Sequence, residues 1–387
     1  MSEQHSRYMR IALSLARRQL GRTCPNPSVG AIIVKNGQII AQGVTANGGR
    51  PHAETIAIEN AGTWAKDATL YVSLEPCSHH GKTPPCTEAI IKSGIGKVVV
   101  ACSDKNPVVS GSGIAALKNA GIEVIENICE KEALEINRGF FSVIEKKRPY
   151  IALKIATSLD GKITIPSACH PALVAGSGAK PTVTSCNFRP RNECVVTEKN
   201  KIKWLTSEHA RNYGHLLRSQ YDAILTGSGT IIIDNPELTC RLNGLEKYSP
   251  LRIVLDRNNR IPKDAKILND GRESWIFTGH GLRVVGHKKK EQITHDSGLM
   301  THDHNLSDIV VFLAEKGITR ILVEAGAKLT TAFLESGLVD RVYWFRAPIV
   351  VGEAGLSATA ALSKLASFKQ IEYVKLGNDN LDILECI

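Results

Sequence analysis

The sequence predicts two layered α/β domains in one chain, and three observations carry that expectation. At roughly 100–200 residues per domain, 387 residues suit two domains or three. Apolar, β-prone runs alternate with helix-period segments along most of the chain. A charged run, Glu145-Lys146-Lys147-Arg148, ends in Pro149 and precedes a fresh apolar segment, Tyr150 to Ala156. The expected domains are therefore residues 1–147 and 148–387.

The elements follow in order. Residues 5–20 read as an amphipathic helix, with Tyr8, Ile11, Ala12, Leu15, Ala16 and Gln19 on one face. Val29 to Val34 is a strand. Asn36-Gly37 then turns the chain into a second strand at Gln38 to Ala41, a strong hairpin signal. Residues 53–61, 87–93 and 113–120 read as helices. Residues 69–74, 97–101 and 122–125 read as strands. Beyond the boundary, 150–156, 223–225, 251–255, 274–277, 319–323 and 340–346 read as strands, and 306–316 and 327–336 as helices. Residues 280–305, with Lys288-Lys289-Lys290, read as a solvated loop. Residues 165–197 carry three cysteines and four prolines without periodicity. A structureless run of that length does not suit a compact domain, so an exposed insertion is expected there.

Composition narrows the function classes. Charged residues make up 22% and hydrophobic residues 43%, a globular balance. No stretch approaches the roughly 18 unbroken apolar residues of a membrane span. Arg7, Arg10, Arg17 and Arg18 break up any signal-peptide core. Lys and Arg exceed Asp and Glu, 48 to 38, which fits an anionic ligand such as a phosphorylated metabolite, a phosphate-rich cofactor or nucleic acid. Aromatics are only 5% and none interleaves with a basic run, so no base-stacking surface for nucleic acid is expected. Ten cysteines in a long chain without a signal segment fit reduced thiols in a cytoplasmic protein, with a metal or catalytic role for any Cys near a His.

One constellation bears chemistry: His52-Ala53-Glu54, then Pro76-Cys77, then Cys86. A catalytic zinc site takes three protein ligands and leaves one position open. One imidazole and two thiolates supply that, and the two thiolates cancel the ion's charge. Helix starts at His52 and Cys86 favour negative charge. Glu54, two residues from His52, lies near the metal without needing to bind it. A carboxylate there can carry a proton from water to a leaving amine. The pairing matches the H-x-E and P-C-x-x-C signature of zinc deaminases, except that eight residues separate the cysteines here. A closed structural zinc site, with His79 or His80 as fourth ligand, is the alternative.

Together with Asn26-Pro27-Ser28-Val29-Gly30 and the long loop Glu75 to Thr87, these residues resemble the deaminase half of the bifunctional riboflavin-biosynthesis deaminase/reductase family. The resemblance covers about residues 5–147. It implies an N-terminal cytidine-deaminase-like three-layer domain, with His52, Cys77 and Cys86 as Zn2+ ligands, Glu54 as catalytic proton shuttle and Asn26 on the pyrimidine. Turn-making beside two prolines is the plainer reading of Asn26.

In the second half, Lys154 to Ile163 reads as a strand ending in an Asp160-Gly161 turn. Thr226-Gly227-Ser228-Gly229-Thr230 is a weak phosphate-loop signal, equally readable as a Gly-rich turn. Val323-Glu324-Ala325-Gly326-Ala327 joins a strand to a helix, where α/β sheets place ligands. These segments resemble the reductase half of the same family. That implies a dihydrofolate-reductase-like α/β domain using NADPH. By resemblance Thr157, Trp204, Thr230, Asp234 and the turn-helix Gly326, Ala327, Lys328, Leu329, Thr330, Thr331 and Ala332 face the cofactor. Arg218, Leu238, Arg241 and Glu324 face the sugar phosphate, where a guanidinium fork suits phosphate; surface solvation is the plainer reading of the arginines. Two features depart from the family pattern. Residues 165–197 intervene, and Ile202 stands where the family places a serine, with Lys201 or Lys203 able to compensate by charge. The implied function is deamination of a phosphorylated ribosylaminopyrimidine and then reduction of its ribosylamino group to ribitylamino. The family also implies a homo-oligomer. A deaminase with an impaired reductase domain, a zinc-stabilised binding protein and a nucleic-acid base deaminase are the rival readings.

Overall fold

The computed structural model describes residues 2–81, 83–107, 109–164, 204–286 and 305–387, and every count below refers to them. The expected insertion at 165–197, the Lys288-Lys289-Lys290 run, Lys82, and Lys201, Ile202 and Lys203 lie outside the described residues.

In the first half α1 (Ser2–Arg17), β1 (Gly30–Lys35), β2 (Gln38–Val44), α2 (Ala53–Ala61), β3 (Thr69–Val72), α3 (Cys86–Ser93), β4 (Lys97–Val100), α4 (Ser112–Asn119) and β5 (Glu123–Ile125) follow the expected order. The sheet runs β2-β1-β3-β4-β5, with β3, β4 and β5 parallel and β1 antiparallel to both neighbours. Helices lie on both faces. A Cβ on Gly30 would sit 2.0 Å from the Ala12 carbonyl oxygen of α1, and one on Gly43 only 2.1 Å from the Ala53 carbonyl oxygen of α2. Gly43 pairs with Ala31, which points oppositely to Gly30, so α1 and α2 cover opposite faces. The domain is three layers, as expected. Its core joins Met9, Ala12, Leu13 and Ala16 to Ile32, Ile33, Leu70 and Val98 to Val100.

The second sheet holds β6 (Tyr150–Thr157), β7 (Ala223–Gly227), β8 (Leu251–Leu255), β9 (Ser274–Thr278), β10 (Gly281–Val285), β11 (Arg320–Val323), β12 (Arg341–Arg346), β13 (Phe368–Leu376) and β14 (Asp379–Cys386). Its order is β10-β9-β8-β7-β11-β6-β12-β14-β13. The six strands from β9 to β12 are parallel, and antiparallel strands close each side. Ile151, Leu153, Ala223, Leu225, Ile253, Ile321 and Val323 are fully buried on this sheet. Parallel strands buried on both faces read as the continuous apolar runs seen in the sequence.

Several elements differ from expectation. The loop expected at 280–305 begins with β10, a half-exposed edge strand set by backbone pairing to β9 rather than by apolar alternation. The Gly-rich run at 226–230 spans the end of β7 and the start of α8 (Ser228–Asp234), with no loop between them. Helices α5 (Glu130–Ile136), α6 (Arg138–Lys146) and α7 (Glu208–Ser219), the short α9 (Lys266–Asn269) and the hairpin β13–β14 were not anticipated. Helix α7 carries a readable start, with the Ser207 hydroxyl accepting from the Ala210 N–H. Helices α10 (Leu306–Glu315) and α11 (Ala327–Glu335) fall where expected.

The two halves meet through half-buried charges gathered round the buried Arg341. Arg341 grips both Glu135 oxygens at 2.7 and 3.1 Å and Glu385 at 2.7 Å, and Arg138 bonds Glu385 as well. Arg320, buried, donates to the Ile136 carbonyl at 3.3 Å. The Arg22 guanidinium lies 3.4 Å from the centre of the Tyr248 ring.

A Gly43→Ala change tests the seating of α2. The new methyl meets backbone, which cannot swing away, so the variant should lose about 1–3 kcal/mol or more of stability. Thermal unfolding of the two chains measures this, and an unchanged midpoint would contradict the close approach.

Candidate active sites

The first site forms where three loops reach the ends of β1, β2 and β3. His52 is the N-cap residue of α2 and Cys86 is the first residue of α3. Cys77 lies five residues beyond β3, the chain having left the sheet at Ser73. The ligand atoms of His52, Cys77 and Cys86 all lie within 4.8 Å of one another. His52 Nδ1 is 3.2 Å from Cys86 Sγ and 3.6 Å from Cys77 Sγ, and the Cys86 N–H reaches Cys77 Sγ at 3.4 Å. The Cys86 thiol beside Cys77 draws that cysteine down to about 4, and the same contact with burial drives Cys86 upward. A group of one imidazole and two thiols, one already favouring thiolate, fits zinc.

The closed-site alternative finds no fourth donor among the described residues. His80 Nε2 is 2.9 Å from Glu88 instead, and neither His79 nor His80 joins the cluster. Glu54 sits in the first turn of α2, only 4% exposed. Burial pushes its carboxyl up to about 7, and the negative charge of Cys77 adds to this. It therefore titrates in the range a proton shuttle needs.

Two further contacts hold this site. Asn26 Nδ2 donates to the Gly49 carbonyl at 2.9 Å, which sets Asn26 against the turn leading into His52. Glu75, directly before Pro76-Cys77, is buried and accepts four backbone N–H groups, from Asp104, Gly111, Gly113 and Ile114, at 2.9 to 3.3 Å. It fastens the turn of Cys77 to the start of α4. Sequence reading quoted Glu75 without giving it a role. The signal available was an acid placed between a buried strand and a metal-ligand turn. Arg50 was also missed; its Nη1 donates to Thr83 Oγ1 at 2.5 Å and tethers the loop between the cysteines.

The second cluster lies at the carboxyl ends of the parallel strands. Glu324 follows β11 and its two oxygens take Nε and Nη2 of Arg218 at 2.7 and 2.9 Å. Lys154 Nζ of β6 stands 3.5 Å from Glu324. Arg218 also donates to the Thr239 carbonyl at 3.0 Å, and the Arg241 N–H reaches His215 Nδ1 at 3.4 Å. Burial, aided by Arg218 and Arg241, lowers His215 to about 4, so its ring is neutral at pH 7. Leu238 is buried at positive φ between these segments. Arg218, Glu324 and the backbone of Arg241 are thus drawn into one neighbourhood, whereas Leu238 packs into a separate cluster with Ile224, Ile231 and Val254. Lys154 was missed, although a lysine inside an apolar strand was a signal.

The residues expected on the cofactor scatter more. Thr157 ends β6 fully buried and accepts the Trp344 indole N–H at 2.9 Å. Trp204 is 53% exposed, with the Arg211 guanidinium 5.7 Å from its ring centre. Thr230 and Asp234 lie on α8. Gly326 caps α11 and Ala327, Lys328 and Leu329 form its first turn. Thr330 and Thr331 turn inward: Thr330 Oγ1 donates to the Ala325 carbonyl at 3.3 Å, and Thr331 Oγ1 accepts the Ala360 N–H at 2.8 Å. Ala332 lies in the second turn of the helix. No helix among the described residues is long and apolar enough to cross a membrane.

A zinc-ligating deaminase domain followed by a pyridine-nucleotide reductase domain defines a bifunctional deaminase/reductase, and comparison with known proteins bears this out. Residues 2–102 match the cytidine and deoxycytidylate deaminase zinc-binding region, and residues 195–381 match the RibD C-terminal domain. The chain belongs to the RibD family of riboflavin biosynthesis proteins. It is 43% identical to the Aquifex aeolicus protein over 350 residues, covering 90% of this chain and 88% of that one. It is 35% identical to the Escherichia coli protein over 396 residues, covering 98% of each. The Acinetobacter baumannii RibD structure, form 1, superposes with a TM-score of 0.80 at 34% identity over the full length of both chains. A Thermotoga maritima deaminase/reductase structure superposes with a TM-score of 0.78, also at 34% identity, over 100% of this chain and 99% of that one. Zinc and NADPH are the cofactors of such an enzyme, and its reductase domain has the dihydrofolate-reductase-like fold.

Glu324 gives a pH signature. Burial works to raise its carboxyl, but Arg218 and Lys154 outweigh that and hold it down to about 2, below its ordinary 4.5. A depressed folded-state value contributes stability above pH 4.5 that disappears as pH falls toward 2. Glu324→Gln should remove this part of the acid-unfolding curve. It should also lower stability at pH 7 by about 3–5 kcal/mol, because Arg218 is left buried and unpaired. Unfolding by denaturant across that pH range measures both effects.

Proposed function

We propose that this chain catalyses two consecutive steps of riboflavin biosynthesis on one phosphorylated ribosylaminopyrimidine: hydrolytic deamination in residues 1–147, then NADPH-dependent reduction in residues 148–387. The convergence of His52, Cys77 and Cys86 beside the buried Glu54 is the observation that carries this reading.

His52, Cys77 and Cys86 would hold zinc, which would supply the Lewis acidity to activate water for attack on the ring carbon bearing the amine. Glu54 takes a proton from the attacking water, passes it to the ring nitrogen and then protonates the departing amine. A carboxyl poised near neutrality suits both the basic and the acidic half of that task. Asn26, held by Gly49, orients the pyrimidine. In the second domain bound NADPH would supply the hydride equivalent needed to reduce the ribosylamino group at C1′. Arg218 and Arg241 bind the sugar phosphate, Leu238 shapes the wall between them, and Glu324 accepts from ribose hydroxyls. Lys154 holds Glu324 ionised for that purpose. Thr157, Trp204, Thr230, Asp234 and, on the turn-helix, Gly326 to Leu329 with Ala332 form the cofactor wall. Assembly into a homo-oligomer and a cytoplasmic location belong to the same reading, which needs no nucleic-acid partner.

Glu54→Gln separates the steps. The variant should keep its zinc and lose ammonia release by about 10²–10⁴-fold or more. NADPH consumption with the deaminated intermediate should persist. Ammonia assay, metal analysis and NADPH absorbance on the same preparation check this, and full ammonia release from a folded, zinc-loaded variant would sink the role of Glu54. Cys77→Ala should lose zinc and ammonia release together while leaving NADPH consumption in place.

A further inference from the structure

The loop that carries Asn26 lies against the second domain. Gly21 adopts a φ of +73°, and a Cβ there would sit 2.9 Å from the backbone of Ser219, Gln220 and Tyr221. Pro25 packs on Gly317, where a Cβ would sit 3.2 Å from the proline ring. Between these contacts the Arg22 guanidinium lies over the Tyr248 ring, 3.4 Å from its centre. Arg22 Nε is buried without a hydrogen-bond partner among the described residues, so the ring face is what supports this head. Tyr248 is itself fixed. It ends a short turn, Glu246–Tyr248, and the Ser249 hydroxyl beside it accepts the Cys240 N–H at 3.1 Å and donates to the Glu246 carbonyl at 2.7 Å.

The other side of the same loop reaches the deaminase site. The Arg22 carbonyl accepts the Gly48 N–H at 2.8 Å. Gly48 belongs to the turn Asn47–Gly49, and the Gly49 carbonyl of that turn receives Asn26 Nδ2. Thr23 closes the loop on Asn26, accepting its N–H at 2.9 Å and donating Oγ1 to its carbonyl at 3.0 Å. The backbone and the amide of Asn26 are therefore tied to segments that Arg22 braces. We propose that Tyr248, a residue of the second domain, is a positioning residue for the first: through Arg22 it sets Asn26 for the pyrimidine and tightens substrate binding in deamination. This rests on the pyrimidine contact assigned to Asn26 above.

The test is steady-state ammonia release by the full chain, as wild type, Tyr248→Leu, Tyr248→Phe, Arg22→Gln, Asn26→Ala and the doubles of Tyr248→Leu with each of the last two. NADPH consumption with the deaminated intermediate, zinc content and melting temperature are read on every preparation. Tyr248→Leu should raise the deamination KM by about 3- to 10-fold with kcat held, as expected for loss of a cation–ring contact that serves binding. Tyr248→Phe keeps the ring face and should restore the wild-type KM. Arg22→Gln should match Tyr248→Leu, and their double should be no worse than either single, since the two act as one unit. In the Asn26→Ala chain Tyr248→Leu should add nothing. NADPH consumption should stay at the wild-type level throughout. A wild-type KM in Tyr248→Leu, a loss confined to kcat, or a KM in Tyr248→Phe as high as in Tyr248→Leu overturns the proposal. Should Tyr248→Leu lose its zinc or its melting transition, Arg22→Gln reads the same contact from the deaminase side, and an unchanged KM there overturns the proposal. An unchanged KM in Asn26→Ala removes the pyrimidine contact and this inference with it. A raised KM in Asn26→Ala beside an unchanged one in Tyr248→Leu overturns the role of Tyr248 alone.

Discussion

The deaminase site depends on how closely α2 lies on its sheet. The helix begins with His52 at its cap and Glu54 in its first turn, so moving its start moves a metal ligand and the proton shuttle together. The absence of a side chain at Gly43 lets the Ala53 carbonyl approach β2 within a distance that any Cβ would forbid. That backbone approach fixes the helix start more firmly than side-chain packing could, because backbone has no rotamers through which to yield. Glu75 does the corresponding work for the Cys77 turn. One carboxylate with four N–H donors fixes the far wall against α4. Both devices act outside the metal cluster, yet its geometry follows from them.

The reductase half uses charge where the deaminase half uses close approach. Arg341, Arg138, Glu135 and Glu385 knit the halves together, and Arg320 reaches across to a carbonyl of α5. Such networks are demanding: each member needs its partner, since a lone buried charge is costly. They hold a junction in one arrangement more than they add to its stability. The Arg218–Glu324–Lys154 cluster follows the same pattern at the sheet crest. Its side chains are preorganised before any ligand arrives, which lowers the ordering cost of binding.

Sequence legibility tracked the kind of force that fixes each part. Buried parallel strands such as β4, β8 and β11 announce themselves as apolar runs, and α1 by its periodicity. The metal cluster was legible because its chemistry admits few residue types at few spacings. The edge strand β10 and the hairpin β13–β14 were not, since backbone pairing places them and half their residues face solvent. Helices α5 and α6 were missed for a related reason: the charges that fix them, Glu135 and Arg138, find partners some two hundred residues away. Side chains that act through others, Glu75 on the Cys77 turn and Lys154 on Glu324, leave no local pattern. The resemblance named Thr330 and Thr331 with the rest of their helix, but helical geometry turns them to the core.

Glu54 and Glu324 show how one residue type serves two chemistries. Both are buried. Burial, with the negative charge of Cys77 and against the pull of His52, raises the Glu54 carboxyl to about 7. Glu324 faces a guanidinium fork and an ammonium, and stays ionised far into acid. A group that must gain and lose a proton in every cycle needs the first environment. A group that must accept hydrogen bonds from hydroxyls, without ever protonating them, needs the second. Exchanging the surroundings would disable both sites, although no carboxyl would have changed place. The division of labour between the two domains is therefore written in the neighbours of two glutamates rather than in the glutamates themselves.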